Sequence, residues 1–95
     1  MNNQYVLKNY MLELVEAALP KFLETYEKEH GNAISSPKAI MMVKAEALNR
    51  LPAKYITSKV GEVYGEYNMR EMQNQADLTK ALYQAAEVVL HQLGI

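Results

Sequence analysis

Apolar residues recur every three or four positions along most of the chain, a spacing typical of amphipathic helices. Pro20 interrupts the first such stretch, about residues 4 to 29. Because proline lacks an N–H and its ring clashes with the preceding turn, we expect this helix to be kinked or split near Leu19. Gly31-Asn32 should end the stretch. Its apolar stripe comprises Leu7, Met11, Leu14, Ala18 and Phe22, widened by Val15, Leu19 and Tyr26.

A second helix is predicted to begin at Pro37. Ser36 can cap its first turn, and proline at the first helical position loses no hydrogen bond that it would have made. The helix should run to about Leu51, because Pro52 biases the residue before it away from helical geometry. The face predicted to be buried carries Ile40, Val43, Ala47 and Leu51.

The pattern changes between residues 53 and 68, where β-branched and aromatic residues replace the helical period and Gly61 interrupts them. This segment predicts an irregular connection or a short strand. A last helix should begin near Asn68 and run to about Leu93, with Gly94 ending it. Its stripe comprises Leu78, Leu82, Ala85, Val89 and Leu93.

These elements predict one all-α, mainly helical domain over residues 1–95, with three main helices and the connection at about 53–68. The chain has 95 residues and no cysteine, so its core is small and no disulfide reinforces it. Helices of about 26 residues would be about 39 Å long, whereas a compact domain of this size has a radius of gyration of about 12 Å. We therefore expect a homodimer that covers the overhanging apolar stripes.

The charge is unevenly distributed. The formal net charge is −1, yet residues 38 to 59 contain five basic residues against the single acid Glu46. A basic middle segment in an acidic chain is the pattern of an anion site, although solvated lysines distributed by chance would look the same. The overall balance argues against a broad nucleic-acid-binding surface, so DNA and RNA are not expected partners.

Little in the sequence supports catalysis. The two histidines, His30 and His91, lie at the ends of different helices, and neither adjoins a nucleophile motif. Glu27 and His30 have the spacing of some helical metal sites, but two ligands are too few, and a solvated histidine at a helix end explains them better. Neither a signal peptide nor a run of about 20 apolar residues is present. We expect a cytoplasmic protein that makes no use of the membrane.

The most informative stretch surrounds Asn49 and Arg50, at the end of the second helix. Helix capping explains both residues. Alternatively, Arg50 offers a planar donor fork to a phosphate or to a guanine edge, and Tyr55 and Tyr64 could stack on bases. Both interpretations stay open at this level.

The residues of this stretch resemble the signature of the late competence development protein ComFB family. The resemblance rests on Ala45-x-Ala47-Leu48-Asn49-Arg50-Leu51-Pro52-x-x-Tyr55 and on Gly61-Glu62-Val63-Tyr64, with a weaker pattern at Asn9, Glu13 and Val15. It implies a helical dimer without enzymatic activity, regulating competence, motility or pili. It also implies a receptor for a cyclic dinucleotide, cyclic di-GMP or cyclic di-AMP.

The two phosphates and two purines of such a ligand suit the basic middle segment. We expect its cations to converge on one pocket, and we expect Arg50→Ala to weaken binding more than Lys80→Ala, since Lys80 lies outside that segment. The candidate ligand-binding residues are Asn49, Arg50, Lys54, Tyr55, Lys59 and Tyr64.

Zinc is not expected as a cofactor. Many relatives carry a pair of cysteines at the start of the central helix and can bind zinc, whereas this chain has Ser36 and Ala39 at those positions. Neither residue is a soft metal ligand. The alternative to a receptor is a protein-protein interaction adaptor that binds a regulatory partner and no small molecule.

Overall fold

The computed structural model describes residues 5–31, 34–59 and 72–94. This part of the chain is mainly helical, as predicted, and contains a small sheet. Its elements in chain order are strand β1 (Tyr5–Asn9), helix α1 (Tyr10–His30), helix α2 (Pro37–Asn49), strand β2 (Tyr55–Lys59) and helix α3 (Met72–Leu93).

The start of the chain departs from the helical prediction, since residues 5–9 form a strand. β1 pairs antiparallel with β2, Tyr5 lying opposite Lys59 and Asn9 opposite Tyr55. The helical spacing of Leu7 was therefore misleading, and its side chain is 71 % exposed. Strand pairing depends on residues far along the chain, so the local period could not reveal it.

α1 begins where Asn9 caps it. The backbone of Asn9 is extended, and its side chain accepts a hydrogen bond from the Met11 N–H. The helix ends at Gly31, which adopts the left-handed conformation at φ 72° and donates its N–H to the Glu27 carbonyl. Glycine reaches that conformation without the steric cost of a Cβ, as the sequence predicted for this position.

Of the two expected effects of Pro20, a kink or a split near Leu19, the split does not occur. The helix continues through Pro20 for 21 residues. Buried Leu19 and Phe22 flank the proline and pack into the core. Their burial, worth about 1.5–3 kcal/mol each, offsets the hydrogen bond that proline cannot make.

α2 starts at the predicted position. The Ser36 side chain accepts from the Ala39 N–H at 3.1 Å, and Pro37 takes the first helical position. Two residues short of the prediction, the helix ends at Asn49.

The core lies between the three helices, with α3 packed mainly against α2 and less extensively against α1. The predicted stripe of α3 is confirmed, with Leu78, Leu82, Ala85 and Val89 buried. Alanines on both α2 and α3 allow close approach of the helix axes. The buried apolar residues of α1 and α2 in this cluster are Val15, Leu19, Phe22, Tyr26, Ala39, Val43 and Ala47.

Candidate functional site

Five of the six candidate residues lie in the described part of the chain, and Tyr64 lies outside it. Asn49 is exposed at the end of α2, and Arg50 follows as its C-cap. Lys54 and Tyr55 lie at the entry to β2, and Lys59 is its last residue. For Lys59 the structure describes the backbone and not the side chain. The middle segment thus passes from a helix end into a strand within a few residues.

Arg50 makes the capping interaction that the sequence allowed. Its Nη1 donates to the Glu46 carbonyl oxygen at 2.8 Å and lies 2.6 Å from Glu46 Oε2. The carbonyl is one of those left without a helical partner at a helix C-terminus. The ion pair holds the guanidinium at the end of α2. Of the described residues, only Glu46 accepts hydrogen bonds from this side chain, and Nη1 donates both of them.

The same side chain lines a cleft between the end of α2 and α3. The cleft has a volume of about 260 Å³. Lys80 lies on its α3 wall, so the cleft contains two cationic side chains against one carboxylate, that of Asp77. Its lining residues are Arg50, Leu51, Pro52, Asp77, Lys80, Ala81 and Gln84. Lys80, which lies outside the basic middle segment of the sequence, therefore lines the same cleft as Arg50.

The Lys54 side chain lies outside this cleft. Its ammonium lies 5.8 Å from the centroid of the Tyr10 ring, within the range of a cation–π interaction. Its backbone is held at the same place: the N–H donates to Asn9 Oδ1 at 3.1 Å, and the carbonyl accepts from the Tyr10 N–H. Lys54 therefore fastens β2 to the start of α1, and it does not line the cleft with Arg50.

Tyr55 and Lys59 are separated along β2. Four residues of strand span about 13 Å, so the two positions lie at opposite ends of the sheet. Tyr55 is 66 % exposed. The described candidates thus lie at the end of α2 (Asn49), in the cleft (Arg50), at the α1–β2 junction (Lys54) and in the sheet (Tyr55 and Lys59). Among these five described candidates, Arg50 is the one that lines the cleft.

Sequence reasoning missed the α3 wall of the cleft. Asp77, Lys80 and Gln84 recur at helical spacing beside the buried stripe of α3, so they form one polar face. The sequence shows this helical spacing. It does not show which part of the chain this polar face contacts, because Lys80 lies thirty positions beyond Arg50.

A second polar cluster joins α1 to α3 through aromatic rings. The Tyr83 hydroxyl donates to Glu29 Oε1, and the Tyr83 ring meets Phe22 edge-on at 5.0 Å between centroids. The hydrogen bond to the Glu29 carboxylate raises the pKa of Tyr83 above its ordinary 10.0, with burial adding to the effect. Burial first, and then the charge of Glu87, raises the pKa of Tyr26.

His30 belongs to the same cluster. Its ring stacks on Tyr26 at 4.1 Å between centroids, and its Nδ1 lies 3.3 Å from the Tyr26 carbonyl oxygen. Within residues 5–31, 34–59 and 72–94, no three metal-ligating side chains come together. None of the helices described is both long and apolar enough to cross a bilayer.

Comparisons with known proteins agree with the resemblance seen in the sequence. Searches of curated proteins and of solved structures gave no significant match. The family model "Late competence development protein ComFB" matches residues 8–92, which is nearly the whole chain and includes α1, α2, β2 and the cleft. The chain therefore belongs to the late competence development protein ComFB family.

Proposed function

We propose that this chain is a non-enzymatic regulatory protein that acts as a homodimer and binds a cyclic dinucleotide, cyclic di-GMP or cyclic di-AMP. Membership of a late competence family supports a regulatory role linked to competence. The cyclic dinucleotide is proposed from the chemistry of the cleft and from the basic middle segment.

The observation that carries the proposal is that Arg50 and Lys80 both line the cleft. Two cations that line one cleft suit a phosphate, whose charge is shared among several oxygens. Arginine binds phosphate through parallel N–H donors, whereas lysine contributes a compact charge. Because the Glu46 contacts use Nη1 alone, Nε and Nη2 of Arg50 supply the donors for the ligand.

The size of the cleft sets which part of the ligand it holds. Small-molecule pockets usually have volumes of about 300–1,000 Å³, so this cleft suits one phosphate with its sugar. The bases then lie on neighbouring surface, where exposed Tyr55 offers a ring for stacking. Asn49, next to Arg50, offers an amide for a base edge. Lys54, Lys59 and Tyr64 stay in the proposal as candidate ligand contacts because they follow Arg50 within about 14 positions of the sequence.

The test is a thermal melt of the full chain with cyclic di-GMP, cyclic di-AMP and, as a control ligand, GMP. A ligand present at a hundred times its Kd stabilises the folded state by about 2.7 kcal/mol. For a domain of this size that shift is about 10 °C or more. Both Arg50→Ala and Lys80→Ala should lose most of it. Lys28→Ala is the matched control, since Lys28 pairs with Glu24 on exposed α1 surface.

Three results would contradict the receptor proposal. One is a melting temperature that neither cyclic dinucleotide changes at concentrations well above micromolar. Another is an equal shift with GMP, which would indicate a general anion effect. The third is a full shift in Arg50→Ala and Lys80→Ala, which would place the ligand outside the cleft.

A protein-interaction adaptor is the second candidate function, and an exposed methionine favours it. Met41 is 66 % exposed on α2, and methionine is common on adaptable binding surfaces. This function predicts a stoichiometric protein partner that Met41→Lys releases and that no nucleotide affects. Ala45→Lys, one helical turn further along the exposed side of α2, is the matched control.

A further inference from the structure

A second cavity lies between α1 and α3. It is lined from within residues 17–25 of α1 and 78–83 of α3, and we call it the α1–α3 groove. Its volume is about 360 Å³, which is larger than that of the cleft beside Arg50 and within the range of small-molecule pockets. Because α3 packs mainly against α2 and less extensively against α1, the two helices leave this space between them.

The buried part of the groove lining is apolar. Phe22, Leu78 and Leu82 line the groove, and each is 7 % exposed or less. Ala17 and Ala18 also line it, and their single methyl groups leave room that a longer side chain would fill. A ligand with an apolar body is therefore favoured here, because it displaces water from apolar surface.

Tyr83 is held in place at the end of the α3 lining. Its ring lies 5.0 Å from Phe22 and 5.9 Å from Tyr26 between centroids, and its hydroxyl donates to Glu29. Since that hydroxyl is engaged, Tyr83 offers a ligand mainly its ring. The eight-residue rise from position 17 to position 25 of α1 is about 12 Å, so the groove suits an extended apolar chain of that length.

Lys21 is the charged residue among the described side chains that line the groove. It is exposed, and no described residue forms a hydrogen bond or an ion pair with it. The acids of α1 nearest to it in sequence have other partners. Glu24 pairs with Lys28 at 3.3 Å, and Glu16 pairs with Lys44 at 3.0 Å. A cation without an acidic neighbour, beside an apolar groove, is complementary to an anionic head group.

The remaining polar groups of the lining are few. Thr25 and Thr79 each contribute a hydroxyl and a methyl group. One charge and two hydroxyls are too few partners for a cyclic dinucleotide, which carries two phosphates and two purines. They suit a single carboxylate, which accepts hydrogen bonds and carries one negative charge.

We propose that the α1–α3 groove binds a linear amphiphilic carboxylate, a medium-chain fatty acid, with its carboxylate at Lys21 and its chain along Phe22. Helical side chains tilt toward the N-terminus of their helix, so the Lys21 ammonium reaches the Ala17 end of the groove and the chain extends toward Tyr83. The site goes beyond the proposed nucleotide function, because the groove and the cleft beside Arg50 share no lining residue.

Titrations of the full chain with decanoate, decanol and decylamine test this proposal. The three probes share one ten-carbon chain and differ in the charge of the head group, and each is used below the concentration at which it forms micelles. Amide NMR spectra give both the affinity and the location. Decanoate should bind about two- to fivefold more tightly than decanol, the contribution of an exposed ion pair, and decylamine should bind most weakly. The largest shifts should fall on residues such as Ala18 and Thr79.

Two variants separate the head group from the chain. Lys21→Glu should reverse the order, so that decylamine binds more tightly than decanoate, whereas Lys28→Glu on exposed α1 surface should keep the wild-type order. Ala17→Phe should weaken binding of all three probes by filling the groove. Ala45→Phe, at an exposed alanine of α2, is its matched control. Helical circular dichroism checks that each variant is folded.

Several results would overturn the fatty-acid site. They are the absence of binding by every probe, equal affinity for the three head groups, shifts centred on the cleft beside Arg50, and an unchanged order in Lys21→Glu. If no probe binds and Ala17→Phe halves the mass of the chain in solution, a second copy occupies the groove and the proposal is wrong. None of these titrations contains a nucleotide, so the outcome is separate from that of the receptor proposal.

Discussion

At the residue scale, the Asn9 side chain joins three elements of the fold. Its Oδ1 accepts from the Met11 N–H, which begins α1, and from the Lys54 N–H, just before β2. Both bonds are 3.1 Å long, and the bond from Lys54 links positions 45 residues apart. One oxygen thus caps a helix and fixes where the second strand enters the sheet.

We expect Asn9→Ala to lower the free energy of unfolding by about 1–2 kcal/mol, since it removes a helix cap and a second hydrogen bond. Asn9→Asp keeps the oxygen acceptor and adds a favourable charge at a helix N-terminus, so it should unfold close to the wild-type midpoint. Urea denaturation measures both, with Asn49→Ala as the exposed asparagine control. Equal stability of Asn9→Ala and wild type would show that neither bond contributes.

At the element scale, α1 is a continuous helix that contains a proline. Pro20 is exposed, and it cannot donate to the Glu16 carbonyl four residues earlier. The buried stripe on the other side of the helix, including Leu19 and Phe22, keeps the backbone helical. Packing therefore overrides the local preference of the proline.

Pro20→Ala should raise the free energy of unfolding by roughly 1–3 kcal/mol, because alanine restores the hydrogen bond and relieves the ring clash. Pro37→Ala is the matched control: Pro37 occupies the first helical position of α2, where proline has no such cost. Chemical denaturation of the two variants compares them. A destabilised Pro20→Ala would mean that the packing of α1 depends on a bend at the proline.

At the scale of the whole molecule, two tyrosines make the free energy of unfolding depend on pH in the alkaline range. Both pKa values lie above the ordinary 10.0, that of Tyr83 chiefly through its hydrogen bond to Glu29 and that of Tyr26 chiefly through burial. A raised pKa means that the folded state holds its protons where the unfolded state loses them. Their stabilisation is complete below about pH 10 and is lost as pH rises through the folded-state pKa values.

The unfolding free energy, measured in urea at successive pH values, should therefore fall above about pH 9 to 10. Tyr83→Phe should make this decline shallower, and Glu29→Gln should do so as well, because it removes the carboxylate that favours the neutral phenol. Glu24→Gln, on the same helix and paired with Lys28, is the control. A decline as steep in Tyr83→Phe as in wild type would assign the alkaline sensitivity to other groups.

Helix boundaries were the part of the fold most open to prediction. Gly31 ends α1 and Ser36 caps α2 at the predicted positions, and the α3 stripe from Leu78 to Val89 is buried as expected. Each of these features depends on residues within about four positions of one another. The capping hydrogen bond from Arg50 to the Glu46 carbonyl could be predicted for the same reason, because both residues lie in one helix end.

The amino-acid sequence by itself determined the family, the three helices, the caps at Gly31 and Ser36, and the basic middle segment. Tertiary structure alone decided that residues 5–9 are a strand, that Asn9 caps a continuous α1, and that Lys80 and Arg50 line one cleft. The physical reason is the reach of the interactions. Helical hydrogen bonds close within four residues, whereas strand pairs and cleft walls join residues 25 or more positions apart, and only the packed core brings those together.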